Sequence, residues 1–102
     1  MVTVVLPPHC RRLAGAAGPV PVTLPRGGAG GRVTVGMVLD ALEAAYPVLR
    51  GLLRDGSGPL RPFIRVFAAG EDLTPAGVAA EVPRSVQEGS EPLRIVGAIA
   101  GG

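Results

Sequence analysis

Thr34-Val35-Gly36-Met37-Val38-Leu39-Asp40-Ala41-Leu42-Glu43-Ala44-Ala45-Tyr46-Pro47 carries the clearest structural signal in the chain. Its apolar residues fall at Val35, Val38, Leu39, Leu42, Ala45 and Tyr46, the spacing of one helix face. Thr34 stands where a hydroxyl can accept a bond from a free first-turn amide, so it is the expected N-cap. Pro47 has no amide hydrogen and should end or kink the helix near Tyr46. At about 1.5 Å per residue the segment makes a helix of roughly 18 Å. Asp40 and Glu43 lie off the main stripe and read as solvated surface charge. Val48, Leu49, Leu52 and Leu53 offer one more helical turn before Asp55-Gly56-Ser57-Gly58-Pro59 stops it.

Strand signals flank this helix on both sides. Val2-Thr3-Val4-Val5-Leu6 is short and β-branched, and Pro7-Pro8 should end it. Val20-Pro21-Val22-Thr23-Leu24 reads as a second strand, with its prolines placing it at a sheet edge. Residues 9–18 read as a turn or irregular connection, so the first two strands could form a hairpin. Pro62-Phe63-Ile64-Arg65-Val66-Phe67-Ala68 is a strand, Ala69-Gly70-Glu71-Asp72 a turn, and residues 73–92 are less regular. Phe63 and Phe67 share one face of their strand, and core packing is the expectation for both. Leu93-Arg94-Ile95-Val96 is the last strand. This order predicts an α+β domain in which the first and last strands can pair as parallel neighbours.

Composition narrows the function. The chain has 102 residues, hydrophobic residues are 47% and aromatics 3%, so the core must be mostly Val, Leu, Ile and Ala. A domain of this size buries roughly 60–70% of its unfolded surface and can fold without disulfides or metal. The single Cys10 permits no internal disulfide and fits a reducing compartment. No signal peptide or membrane span is visible, and a cytoplasmic location is expected. All ten basic residues are Arg, the formal net charge is +2, and the basic residues are scattered. A nucleic-acid binder should show a concentrated basic stripe with stacking aromatics, so neither nucleic acid nor membrane is an expected partner.

The ordered combination resembles the MoaD/ThiS family of ubiquitin-like sulfur carriers. Val35-Gly36-Met37-Val38-Leu39-Asp40-Ala41-Leu42, followed by Tyr46-Pro47-Val48-Leu49, is similar to the family's helix. Phe63-Ile64-Arg65-Val66-Phe67 with Gly70-Glu71-Asp72 resembles the strand and turn that follow it. Ile95-Val96-Gly97-Ala98-Ile99-Ala100-Gly101-Gly102 resembles the last strand and exposed tail. The resemblance covers residues 33–102 well and residues 1–32 in outline. Ala69 stands where the family often has Asn. Gly89-Ser90-Glu91-Pro92-Leu93 replaces a shorter turn, and Gly97-Ala98 stands where many members have Pro-Pro. The resemblance implies a ubiquitin-like β-grasp fold, a mixed sheet packed on one main helix, over residues 1–96. Residues 97–102 would be a flexible tail.

The resemblance also implies the chemistry. A carboxylate is a poor electrophile. Joining the Gly102 carboxylate to AMP makes a mixed anhydride, and a sulfur nucleophile then displaces AMP to leave a thiocarboxylate. The implied partners are an E1-like adenylating and sulfur-transferring enzyme, which uses ATP, and a downstream sulfur-accepting synthase. The carrier itself would bind no cofactor and would not be an enzyme. Gly101 and Gly102 have no side chain and can enter a narrow channel. Ala98 and Ala100 are nearly as slim, and Ile99 could anchor the tail in an apolar pocket. Gly97 to Gly102 reach at most about 20 Å when extended. The tail most resembles carriers of the cysteine-synthesis and molybdopterin type. Two alternatives share the fold: a protein modifier conjugated through Gly102, and a plain β-grasp interaction domain.

The remaining motifs carry less. His9-Cys10 could suggest a ligand pair, but one Cys and one His cannot complete a usual zinc site. Gly27 to Gly31 precedes the helix but lacks the Gly-Lys-Ser/Thr ending of a phosphate loop and reads as a flexible connection. Asp40 with Glu43, and Glu71 with Asp72, show no sign of an acid–base pair.

Overall fold

The computed structural model describes residues 1–24, 32–56 and 58–97. Along the chain run β1 (Val2–Val5), α1 (Pro8–Ala14), β2 (Val20–Val22), α2 (Val35–Ala45), β3 (Ile64–Ala68), β4 (Glu71–Asp72), α3 (Arg84–Gln87) and β5 (Leu93–Gly97). The strands lie in the order β2-β1-β5-β3-β4. β1 and β5 are parallel, with Val4 opposite Leu93, and the other neighbours are antiparallel. This is the expected β-grasp: a mixed sheet on one main helix. The Gly-rich loop at Gly27–Gly31 lies outside the described residues.

The sheet sorts its residues by parity. Val2, Val4, Val20, Val22, Ile64, Val66, Ala68, Leu93 and Ile95 are all buried on one face. Val35, Val38, Leu39 and Leu42 of α2 are buried in the same core. Fully burying such an aliphatic side chain is worth about 1.5–3 kcal/mol. Thr34 caps α2 as expected, its Oγ1 accepting from the Met37 amide at 3.2 Å. Segment 80–82 lies alongside the helix start, where the Val35 amide donates to Ala80 O and the Val82 amide to Val33 O. β2 sits at the sheet edge with Pro21 exposed, so its missing donor breaks no ladder.

Four expectations need correction. Residues 9–18 are not all irregular, because α1 forms over Pro8–Ala14. Pro8 occupies a first-turn position that needs no amide, and a left-handed Gly15 closes the other end. After Pro47 the chain makes a 3-10 turn over Pro47–Leu49 rather than another α turn. Phe67 does not point into the core: it shares the parity of exposed Arg65 and is half-buried, while Ile64, Val66 and Ala68 go inward. Phe63 lies just before β3 and packs half-buried against the core, as expected. Glu43 is not a solvated surface charge. It is 8% exposed, and Arg54 beside it is 3% exposed.

Arg54 explains why Glu43 can be buried. Its Nε donates to Glu43 Oε2 at 3.1 Å and its Nη2 to Glu43 Oε1 at 3.0 Å. Nη2 also donates to the exposed Asp40. The two carboxylates lie one helical turn apart, and together they pin the loop after α2 to the helix. The bonds to Glu43 hold the guanidinium still more firmly in its charged form.

The β3–β4 hairpin turns on Ala69 and Gly70, with φ of 52° and 79°. Two successive positive φ values are the signature of the tight hairpin turn that fits strand twist, with Asn-Gly as its favoured pair. Ala69 bears a Cβ in a left-handed conformation. The connection from α3 to β5 also depends on glycine. Gly89 has φ of 84°, and a Cβ there would stand 2.8 Å from the Met1 carbonyl oxygen.

Two stability outcomes follow. Ala69→Asn should stabilise the fold by roughly 0.5–1 kcal/mol, because Asn tolerates the left-handed region better than Ala. Denaturant unfolding with an unchanged slope would show it, and a fall in the midpoint would contradict the turn assignment. Arg54→Met should cost about 3–5 kcal/mol by leaving the Glu43 carboxylate buried without its partner. Adding Glu43→Leu to Arg54→Met should recover much of that loss in the same measurement.

Candidate functional site: the tail root and the open sheet face

β5 is the central strand, gripped by β1 on one side and β3 on the other. Its pairing holds to the last residue, with Gly97 opposite Ile64. The ordered strand thus keeps Gly97, one position beyond the expected domain boundary. The chain leaves the sheet where β1 passes through Pro7 into α1 and where Phe63 leads into β3. The expected site residues Ala98, Ile99, Ala100, Gly101 and Gly102 lie outside the described residues. What the structure shows is the ground from which they start.

Beside Gly97 lies a cavity of about 230 Å³, lined by Pro7, His9, Cys10, Leu52, Phe63 and Ile64. Sequence reasoning missed it. The available signal was that Gly97 continues the inward register of Leu93 and Ile95 without a side chain. Cys10 is a free thiol, 5% exposed, and burial pushes its pKa up. That keeps it protonated and a poor nucleophile at neutral pH. His9 is exposed. Among the described residues no three His, Cys, Asp or Glu side chains gather as a metal site.

The second feature is the sheet face opposite α2. Thr3 and Val5 of β1, Arg65 and Phe67 of β3, and Arg94 and Val96 of β5 share it, and none is buried. Arg94 lies opposite Phe67, and Arg65 opposite Val96. Val96 is 44% exposed, a large apolar side chain facing water. The face is therefore a mixed patch, apolar at Val5, Phe67 and Val96 with guanidinium groups among them. At its edge Arg65 approaches Asp72 at 3.7 Å. Bonds from Thr74, with Arg65 nearby, lower the Asp72 pKa. Nothing on the patch forms a catalytic constellation. It is an open surface that runs along the outward side of β5.

A mixed sheet with one crossing helix and its last strand at the centre is a ubiquitin-like β-grasp fold. More narrowly, the fold is that of the MoaD/ThiS-type sulfur carriers. A chain of the Amycolatopsis orientalis BexX/CysO complex is 28% identical, covers 100% of both chains and superposes with a TM-score of 0.74. SAMP1 from Haloferax volcanii is 27% identical over 98% of this chain and 97% of its own, with a TM-score of 0.70. Mycobacterium tuberculosis CysO is 26% identical over 97% of this chain and 100% of its own, with a TM-score of 0.69. No protein-family model matches the chain, and no curated protein matches it by sequence. No helix among the described residues is long and apolar enough to cross a membrane.

The division of β5 into two faces has a direct test. Val96→Asp should leave stability within about 0.5 kcal/mol of the parent, as for an exposed position. Ile95→Asp, one residue earlier, should unfold the domain by burying a charge without a partner. Circular dichroism with urea titration separates the two; equal losses would mean that the register is wrong.

Proposed function

We propose that the chain is a sulfur carrier whose Gly102 carboxylate is the working group. The observation that carries this reading is the Gly-Gly terminus following the central strand of a fold shared, end to end, with CysO. The carboxylate attacks the α-phosphorus of ATP on an E1-like activating enzyme, forming the acyl-adenylate and releasing pyrophosphate. A sulfur nucleophile then displaces AMP, and the carrier leaves as a thiocarboxylate. A downstream synthase takes the sulfur from Gly102. In this scheme the chain is a substrate of its partners and performs no catalysis.

The parts have distinct tasks. Gly101 and Gly102 let the terminus pass through a narrow channel to the nucleotide, with Ala98 and Ala100 adding little width. Ile99 gives the tail one apolar anchor. The open sheet face, with Phe67 and Val96 among Arg65 and Arg94, suits a partner surface that is apolar with acidic groups around it. The BexX/CysO complex is a precedent for a carrier of this fold in complex with another protein. Cysteine or molybdopterin synthesis is the favoured destination of the sulfur, in the cytoplasm, with other sulfur-containing metabolites open.

A modifier reading is favoured by the similarity to the Haloferax volcanii small archaeal modifier protein 1, 25% identical over 95% of both chains. It shares the adenylate and differs in the acceptor, a lysine amine in place of sulfide. This chain has no lysine of its own to serve as that acceptor.

Incubation with ATP, sulfide and an activating enzyme from the same organism, then trypsin, tests the proposal. Cleavage after Arg94 releases Ile95 to Gly102, which contains neither Cys nor Met, so oxidation cannot imitate the exchange of oxygen for sulfur. The expected product is that peptide with one oxygen replaced by sulfur and alkylatable at its C-terminus. Removing Gly101 and Gly102 should abolish the product and leave folding intact. An unchanged peptide from an enzyme that does adenylate the chain, together with heavier covalent species in lysate, would favour the modifier reading.

A further inference from the structure

The charged residues are sorted along the axis of β5. The strand ends at Gly97, opposite Ile64 and beside α1, where Pro7, His9 and Cys10 share a cavity with it. α1 packs in turn against the 3-10 turn at Pro47–Leu49. Arg61 Nε donates to Gly51 O at 2.7 Å, and the Ile64 amide donates to Arg61 O, which fixes the loop before β3 at the same end. These segments, residues 6–16, 46–53 and 58–64, contain Arg11, Arg12, Arg50 and Arg61 and no Asp or Glu. None of these arginines forms an ion pair among the described residues, whereas Arg32, Arg54 and Arg65 do. Two aliphatic side chains of the same segments also face water, Leu13 at 43% exposure and Val48 at 48%. The end where β5 begins is the reverse: Glu71, Asp72, Glu88 and Glu91 stand there against Arg84.

We propose that this basic end, distinct from the open sheet face, is a docking surface for a partner protein whose own contact surface is acidic, with apolar ground between its carboxylates. A guanidinium can give a carboxylate two parallel bonds, and no acid of these segments competes for it. Leu13 and Val48 add apolar contact, which a purely electrostatic encounter lacks. Other polyanions fit less well. Single-stranded nucleic acid is held by stacking on aromatic rings, and a membrane surface takes an amphipathic helix with large apolar groups on one face. Here α1 is seven residues long, and the exposed apolar groups are aliphatic. Because the far end is acidic, an acidic partner attracts the Gly97 end and repels the other, so approach is oriented before contact. In the carrier reading that partner is the activating enzyme, which meets the domain with the end of β5 leading. That consequence rests on the reading; the surface itself does not.

Arg12 and Arg50 are exposed, so Arg12→Glu combined with Arg50→Glu should keep the circular dichroism of the folded parent. Titrating the isotope-labelled full chain with a short Glu-rich peptide carrying Leu, at low salt, reads the surface directly by NMR. The expected amide shifts centre on Arg11 to Leu13 and Val48 to Gly51. They should fade as salt rises, disappear in the double variant and persist in Arg84→Glu. Shifts centred on Arg65 and Arg94 alone, or spread evenly over the domain, would overturn the proposal. So would tighter binding of a short DNA duplex or of phosphatidylglycerol vesicles at the same ionic strength. Salt-sensitive self-association of the chain by itself would overturn it too, giving this end to the acidic end of a second copy. With the activating enzyme, the double variant should raise the KM for the carrier in ATP–pyrophosphate exchange several-fold, with little change in kcat. An unchanged KM, where the parent is adenylated, counts against the proposal. A parent that is not adenylated sinks the carrier reading alone, and the peptide titration still decides the surface.

Discussion

The parallel pairing of β1 with β5 is the constraint on which the rest of the molecule depends. Parallel neighbours cannot be joined by a tight turn, so the chain between them must cross the sheet. Here that crossing includes α2, whose Val35, Val38, Leu39 and Leu42 are all buried in the core formed with the sheet. The same pairing puts the last strand in the middle. β5, which ends at Gly97, is then held by ladders on both flanks. An edge strand would have one ladder and would fray more readily. In the proposed carrier role, a tail that delivers its carboxylate into another protein would need such a fixed root.

With so few aromatic rings, the core is made of branched aliphatic side chains that must interdigitate closely. That places tight demands on the ends of α2. Thr34 closes one end, and the Arg54–Glu43 pair ties down the loop beyond the other. A buried ion pair is weak evidence of net stabilisation. Its geometric effect is clearer: two bonds from one guanidinium to one carboxylate fix where the loop can lie against the helix, and a hydrophobic contact would be less directional.

The helix and its cap were legible because periodicity and capping act within a few residues. The first and last strands followed from short β-branched runs, and element order allowed their parallel pairing without deciding it. The Glu43 error came from a partner distant in sequence. Nothing near Glu43 announces that Arg54, eleven residues away, will neutralise it. Period two did not say which face of β3 Phe67 would take, and it grouped with it Phe63, which lies before the strand and packs against the core. Arg65 was the usable clue for Phe67, since a charged residue of the same parity points that face to water. α1 has little apolar periodicity, and its evidence was the punctuation, Pro8 at the start and Gly15 at the end. The Gly-Gly of the proposed site was plain in the sequence, whereas the cavity beside Gly97 needed Pro7, Leu52 and Phe63 brought together by the fold.

β5 shows how folding and recognition can occupy one strand without conflict. Leu93 and Ile95 carry the packing, and Arg94 and Val96 carry the open face. Because alternate side chains point to opposite sides, the outward pair can change to suit a partner at little cost to the inward pair. The separation ends at Gly97, where the strand stops having anything to bury. From there the chain needs slimness more than packing, and its composition shifts to Gly and Ala, with Ile99 the exception. A single bulky residue in so slim a tail is hard to justify as spacer. In the proposed carrier role it would be a handle, since one branched side chain would fix how far the tail can slide into any channel that grips it. The distance from that grip to the Gly102 carboxylate is then set by three residues, about 10 Å at full extension. Position along the chain thereby becomes position at the reacting atom.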